Sequence, residues 1–82
     1  MEAFRMREIN IRIRSLQDAE HFVRLASAQP YRVTVGNDYQ NINGKDFMGM
    51  FSLDLRYPLR VCLWCSEEEA AAFEQAVQAY MV

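Results

Sequence analysis

The chain has little of what most functional classes require. Its 82 residues include one histidine, two cysteines, three glycines and two prolines, and nine Lys and Arg nearly balance eleven Asp and Glu. A formal net charge of -2 gives no general attraction to phosphate backbones or anionic lipid, so nucleic acid is not an expected partner. No apolar run approaches the roughly 20 residues that a bilayer-spanning helix needs, and the polar opening MEAFRMREIN lacks the apolar stretch of a secretion signal. A cytoplasmic location without membrane insertion is the expectation. There is no phosphate-cradling glycine loop, no grouping of His and carboxylates at metal spacing, and no Ser, His and Asp with a common site. Neither an enzyme nor a cofactor or metal centre is therefore expected. Cys62 and Cys65 in VCLWC have CxxC spacing, but residues three apart on a strand face opposite sides. They read as structural thiols in a reducing compartment, not as a redox pair or half a metal site.

What is present is the composition of an ordinary folded protein, 51% hydrophobic and 24% charged. One domain over residues 1–82 is expected, since folded units below about 50 residues rarely bury enough apolar surface to stand alone. Ile9, Ile11 and Ile13 alternate with Asn10, Arg12 and Arg14, which predicts a strand with one wet face. Ser15 is placed to cap a helix whose stripe is Leu16, Ala19, Phe22, Val23 and Ala26. Pro30 ends it, and Tyr31, Val33 and Val35 alternate in a second strand; Gly36, Asn37 and Asp38 turn the chain back into a third strand over 39–43. Asp46 caps a short helix containing Phe47, Met48, Met50, Phe51 and Leu53. LRVCLWC at 59–65 is apolar enough for a central strand, and Ser66 with Glu67, Glu68 and Glu69 opens a last helix with a stripe of Ala72, Phe73, Ala76, Val77 and Tyr80. The element order βαββαβα makes an α+β domain with a four-stranded sheet and helices on one face.

The run NINGKDFMGM at 41–50 carries the clearest functional signal. Phe47, Met48, Met50 and Phe51 surround Gly49, and a single helical turn cannot bury side chains in every direction. An exposed aromatic and Met cluster on a small domain marks a contact surface, because both side chains bury large area and Met adapts its shape. The expected protein-binding residues are Phe47, Met48 and Phe51, with Lys45 and Asp46 at the rim. The plainer reading makes each apolar member core. Tyr31, Tyr39 and Tyr57 read as sheet or turn residues that border a contact surface.

NINGKDFMGMFSL, preceded by FVRLAS at 22–27 and set in the same order of elements, resembles HPr, the histidine-containing phosphocarrier of the sugar phosphotransferase system. Members read approximately N-x-K-S-I-M-G-V-M-x-L where this chain has Asn43 to Leu53, and the correspondence runs without gaps from about Ser15 to Ser66. The resemblance implies an HPr-like open-faced sandwich, a four-stranded antiparallel sheet covered on one face by three helices. It also implies a carrier histidine at the start of the first helix, followed by an arginine and a proline. Here those positions hold Ser15, Gln17 and Asp18, so the carrier site is vestigial and the phosphate chemistry is expected to be lost. Asp18 and Glu20 would also repel an incoming phosphoryl group. The sole histidine, His21, lies about a turn and a half further on. In many relatives a regulatory serine is phosphorylated where this chain has Asp46; the carboxylate reads either as a partial mimic of that phosphoserine or as a helix cap alone.

The leading expectation is a non-catalytic HPr-like protein-binding or regulatory domain whose partner is a phosphotransferase-system component or a regulator. The alternatives are a phosphocarrier that uses His21, a competitor for carrier partners with Arg12, Arg14 and Arg24 facing an acidic surface, and a homo-oligomeric structural module.

Overall fold

The structure, a computed structural model, describes residues 5–82. The elements follow the order strand β1 (Arg5–Ile11), helix α1 (Leu16–Ser27), strands β2 (Arg32–Gly36) and β3 (Asn41–Asn43), helix α2 (Phe47–Met50), strand β4 (Leu59–Cys65) and helix α3 (Glu67–Ala76), with a 3-10 turn at Gln78–Tyr80. The sheet order is β1-β4-β2-β3 and every pairing is antiparallel. This is an open-faced sandwich, with three helices over one face of a four-stranded sheet.

Register follows from burying alternate side chains, since a slip by one residue would turn every apolar group outward. Ile9 pairs with Val61, Val61 with Val35, and Val35 with Ile42, so one apolar row crosses all four strands on the covered face. Against it pack Ala19, Phe22, Val23 and Ala26 of α1, Met50 of α2, and Ala70 and Phe73 of α3. Phe22 and Phe73 meet edge to face, 5.9 Å between centroids, and lock α1 to α3. β4 alternates buried and half-buried residues along its length, which sends Cys65 into the core and Cys62 to the uncovered face. Burial pushes the Cys65 thiol pKa up, with the Glu69 charge adding, so Cys65 is a poor nucleophile.

Several expectations shift. β1 ends at Ile11, and Ile13 is buried beyond it. β2 begins at Arg32 and β3 at Asn41, because Asn37 Oδ1 accepts from the N–H groups of Tyr39 and Gln40 and holds both in the turn. α2 stops at Met50, with Phe51 as its C-cap and Leu53 buried after it. Leu16 does not join the buried stripe. It is 62% exposed on the first turn of α1, where it lines a cleft with Phe51. In α3 the buried residues are Ala70 and Phe73, followed by Val77, while Ala72 and Ala76 face solvent. Small alanines constrain rotation weakly, and the two large residues set it. Tyr80 leaves the helix because Val77 already has non-helical dihedrals.

Candidate functional site

Two neighbouring features bear on function, the turn at 43–53 and the start of α1. The turn is built by side-chain caps. Asn43 Oδ1 accepts from the Lys45 N–H at 2.9 Å, and Asp46, in an extended conformation, accepts from the Gly49 N–H at 3.1 Å. A Cβ on Gly49 would lie 2.9 Å from the Asp46 carboxylate, so glycine is what lets the cap close. From the far side Ser52 Oγ donates to the Gly49 carbonyl, and Gln40 Nε2 donates to the Ser52 carbonyl and hydroxyl. Four residues of helix are thereby held rigid from both ends.

That rigidity sorts the apolar residues. Met50 is fully buried and anchors the turn, whereas Met48 is 74% and Phe51 44% exposed. Phe47 packs partly on the core and meets Phe51 edge to face at 5.2 Å. Lys45 Nζ turns away from Asp46 and donates to the Gln29 carbonyl at the end of α1, 2.7 Å away. One oxygen of the Asp46 carboxylate is committed to the cap, and the residue is exposed.

At the start of α1 the Ser15 hydroxyl accepts from the Asp18 N–H at 3.1 Å, and the Asp18 carboxylate accepts in turn from the Arg14 N–H at 3.0 Å. These reciprocal bonds put an internal anion where the helix amides would otherwise meet an external one. Gln17 is exposed on the same turn. Between this end of α1 and the turn lies an open cleft of about 580 Å³, lined by Arg12, Arg14, Ser15, Leu16, Phe51 and Arg56 among others. Arg12 donates to the Arg56 carbonyl, and Arg56 holds Asp54 through two parallel bonds of 2.9 Å, which lowers the Asp54 pKa to about 2. Arg12 and Arg14 have no carboxylate partner among the described residues. The cleft therefore pairs apolar walls with positive charge.

Residues 15–82 match the family model described as the PTS HPr component phosphorylation site. The chain belongs to the HPr family. No curated protein matches it. The antiparallel open-faced sandwich agrees with that membership, and the protein is phosphotransferase-system-related and phosphocarrier-like in its kinship. No helix among the described residues is long and apolar enough to cross a membrane.

Within this HPr-like fold Ser15 and Phe51 share one cleft, a juxtaposition that 35 intervening positions hide from any local pattern. His21 lies elsewhere on α1, exposed, with Nδ1 2.5 Å from the Tyr80 hydroxyl. Sequence reasoning missed Leu55 and Arg56 as cleft residues and Tyr80 as the histidine's partner; the Asp54, Arg56 spacing, which favours a local ion pair, was the one available signal.

Proposed function

We propose that this HPr-family chain is a single cytoplasmic, non-catalytic binding or regulatory domain of the phosphotransferase system, with Ser15 standing where a carrier histidine would be. Phe47, Met48 and Phe51 form the contact surface, and Lys45 and Asp46 flank it. The observation that supports the reading is that exposed Phe51, on the same short turn as exposed Met48, also lines the arginine-bearing cleft at Ser15. Covering them stabilises a complex by roughly 1 to 2 kcal/mol per side chain. Arg12 and Arg14 favour an acidic partner surface, and Lys45 keeps two N–H groups for it beyond the bond to Gln29.

Ser15 is ill placed for phosphate transfer. Its hydroxyl is committed to the Asp18 amide, and the Arg14 amide beside it is filled by the Asp18 carboxylate. Incubation of the pure protein with phosphoenolpyruvate and the first enzyme of the system should leave its mass unchanged, while titration calorimetry detects binding to a system component. Acid-labile phosphate on the chain would overturn the proposal. Phosphate lost in His21→Ala would identify a relocated carrier instead.

A further inference from the structure

A second cleft, of about 440 Å³, has Tyr39, Tyr57, Asp38, Asp54 and Arg60 among its lining residues. Tyr39 stands on the turn between β2 and β3 and Tyr57 on the loop before β4, and they are 94% and 61% exposed. Neither belongs to the core, and neither is among the residues of the proposed contact turn. Gly36 forms part of the floor, and any Cβ there would run into the Asn41 side chain and the Gln40 carbonyl. The backbone beneath Tyr39 is fastened, because Asn37 Oδ1 accepts from Tyr39 and Gln40 at 2.8 and 3.0 Å while Gln40 is bonded to Ser52. A ligand would meet a fixed backbone that presents the Tyr39 ring, 94% exposed, to solvent.

Charge narrows the class of ligand. Arg60 of β4 is shared between two carboxylates, Asp38 at 3.1 Å and Glu8 at 3.3 Å, whereas Arg56 is matched by Asp54 alone. The cleft's own lining carries Asp38 and Asp54 against Arg60, one negative charge in surplus, with the Asp38 side chain 84% exposed. Aromatic faces attract cations through their ring quadrupole. The protein already uses this at Tyr57, whose ring centroid lies 5.7 Å from the Arg56 guanidinium carbon. Tyr39 has no such cation among the described residues. An anionic ligand would meet the surplus charge, and a neutral one would leave it unanswered.

We infer that the cleft between Tyr39 and Tyr57 receives an arginine or lysine side chain from an extended segment of a partner protein, the cation lying on the Tyr39 ring and beside the Asp38 carboxylate. This cation site is opposite in charge to the arginine-lined cleft at Ser15, so the domain presents two surfaces that select different chemistry.

The test is an amide NMR titration of the full chain with a blocked pentapeptide bearing two arginines, and with matched peptides bearing glutamine or glutamate. The arginine peptide is expected to shift residues 36–40 and 54–60 in a saturable way, with the glutamine and glutamate peptides leaving them unmoved. Asp38→Asn and Tyr39→Ser, both at exposed positions, should each weaken the response about five-fold with the remaining spectrum unchanged, as should raising salt from about 50 to about 300 mM. An equal response to the glutamine peptide, shifts centred on Met48 and Phe51, shifts that appear on dilution without peptide, or no saturable response by about 10 mM would each overturn the inference.

Discussion

His21 and Tyr80, fifty-nine residues apart, meet through the imidazole Nδ1 and the phenol hydroxyl at 2.5 Å, with their rings edge to edge-face at 5.8 Å. The contact ties α1 to the 3-10 turn, which also bonds to the segment just after β1 through the Arg12 N–H and the Tyr80 carbonyl. Burial, then the Asp18 charge, raises the Tyr80 pKa, so the phenol stays protonated. Tyr80→Phe should lower stability by about 0.5 to 1.5 kcal/mol in urea denaturation. It should also shift the His21 Nδ1 nitrogen resonance, which a purely distant effect would not move.

Tyr31 makes stability fall at alkaline pH. Burial above all, with the nearby Cys65 and Glu69 adding, raises its pKa to about 12. The unfolded chain ionises near 10 and the folded one near 12, so between those values the unfolded state binds fewer protons and stability declines as pH rises. The decline should approach 2 to 3 kcal/mol, or roughly 1.4 for each pH unit of the window, in denaturant titrations. Tyr31→Phe should abolish it at little cost near pH 7, because the buried hydroxyl has no partner beyond the Cys65 thiol, a weak one.

Met48 and Met50, two residues apart on one short turn, should respond oppositely to substitution. Met50 is fully buried, so Met50→Ala leaves a cavity and costs about 2 to 5 kcal/mol. Met48→Ser changes stability by less than about 0.5 kcal/mol because its side chain is mostly in solvent. Calorimetry with a binding partner should reverse the order, with Met48→Ser the more damaging once stability is matched.

Asp46 tests charge against capping. Asn caps a helix about as well as Asp, so Asp46→Asn should keep stability while Asp46→Ala loses about 1 kcal/mol in thermal unfolding. If Asp46→Asn also keeps partner affinity, the cap is the whole role. A drop in affinity without a drop in stability assigns the carboxylate to recognition.

Much of the fold was legible because its signals are local. The apolar run at 59–65 placed β4 at its observed bounds, and Ser15, Asp46 and Ser66 marked three helix starts, since a cap needs only a side chain within three residues of free amides. The motif around Asn43 to Leu53 likewise announced the family. The α3 stripe was misread because alanines carry little rotational information, and Leu16 because periodicity says nothing of where the sheet beneath a helix ends.

By itself, then, the sequence determined the order of elements, their caps and the kinship, all properties of short segments. Tertiary structure alone decided that Met50 is core while Met48 is surface, that Ser15 shares a cleft with Phe51, and that Tyr39 shares another with Tyr57. Those outcomes depend on which face of each element the sheet covers and on loops that meet only after folding, and burial of the one apolar row across the four strands fixes both.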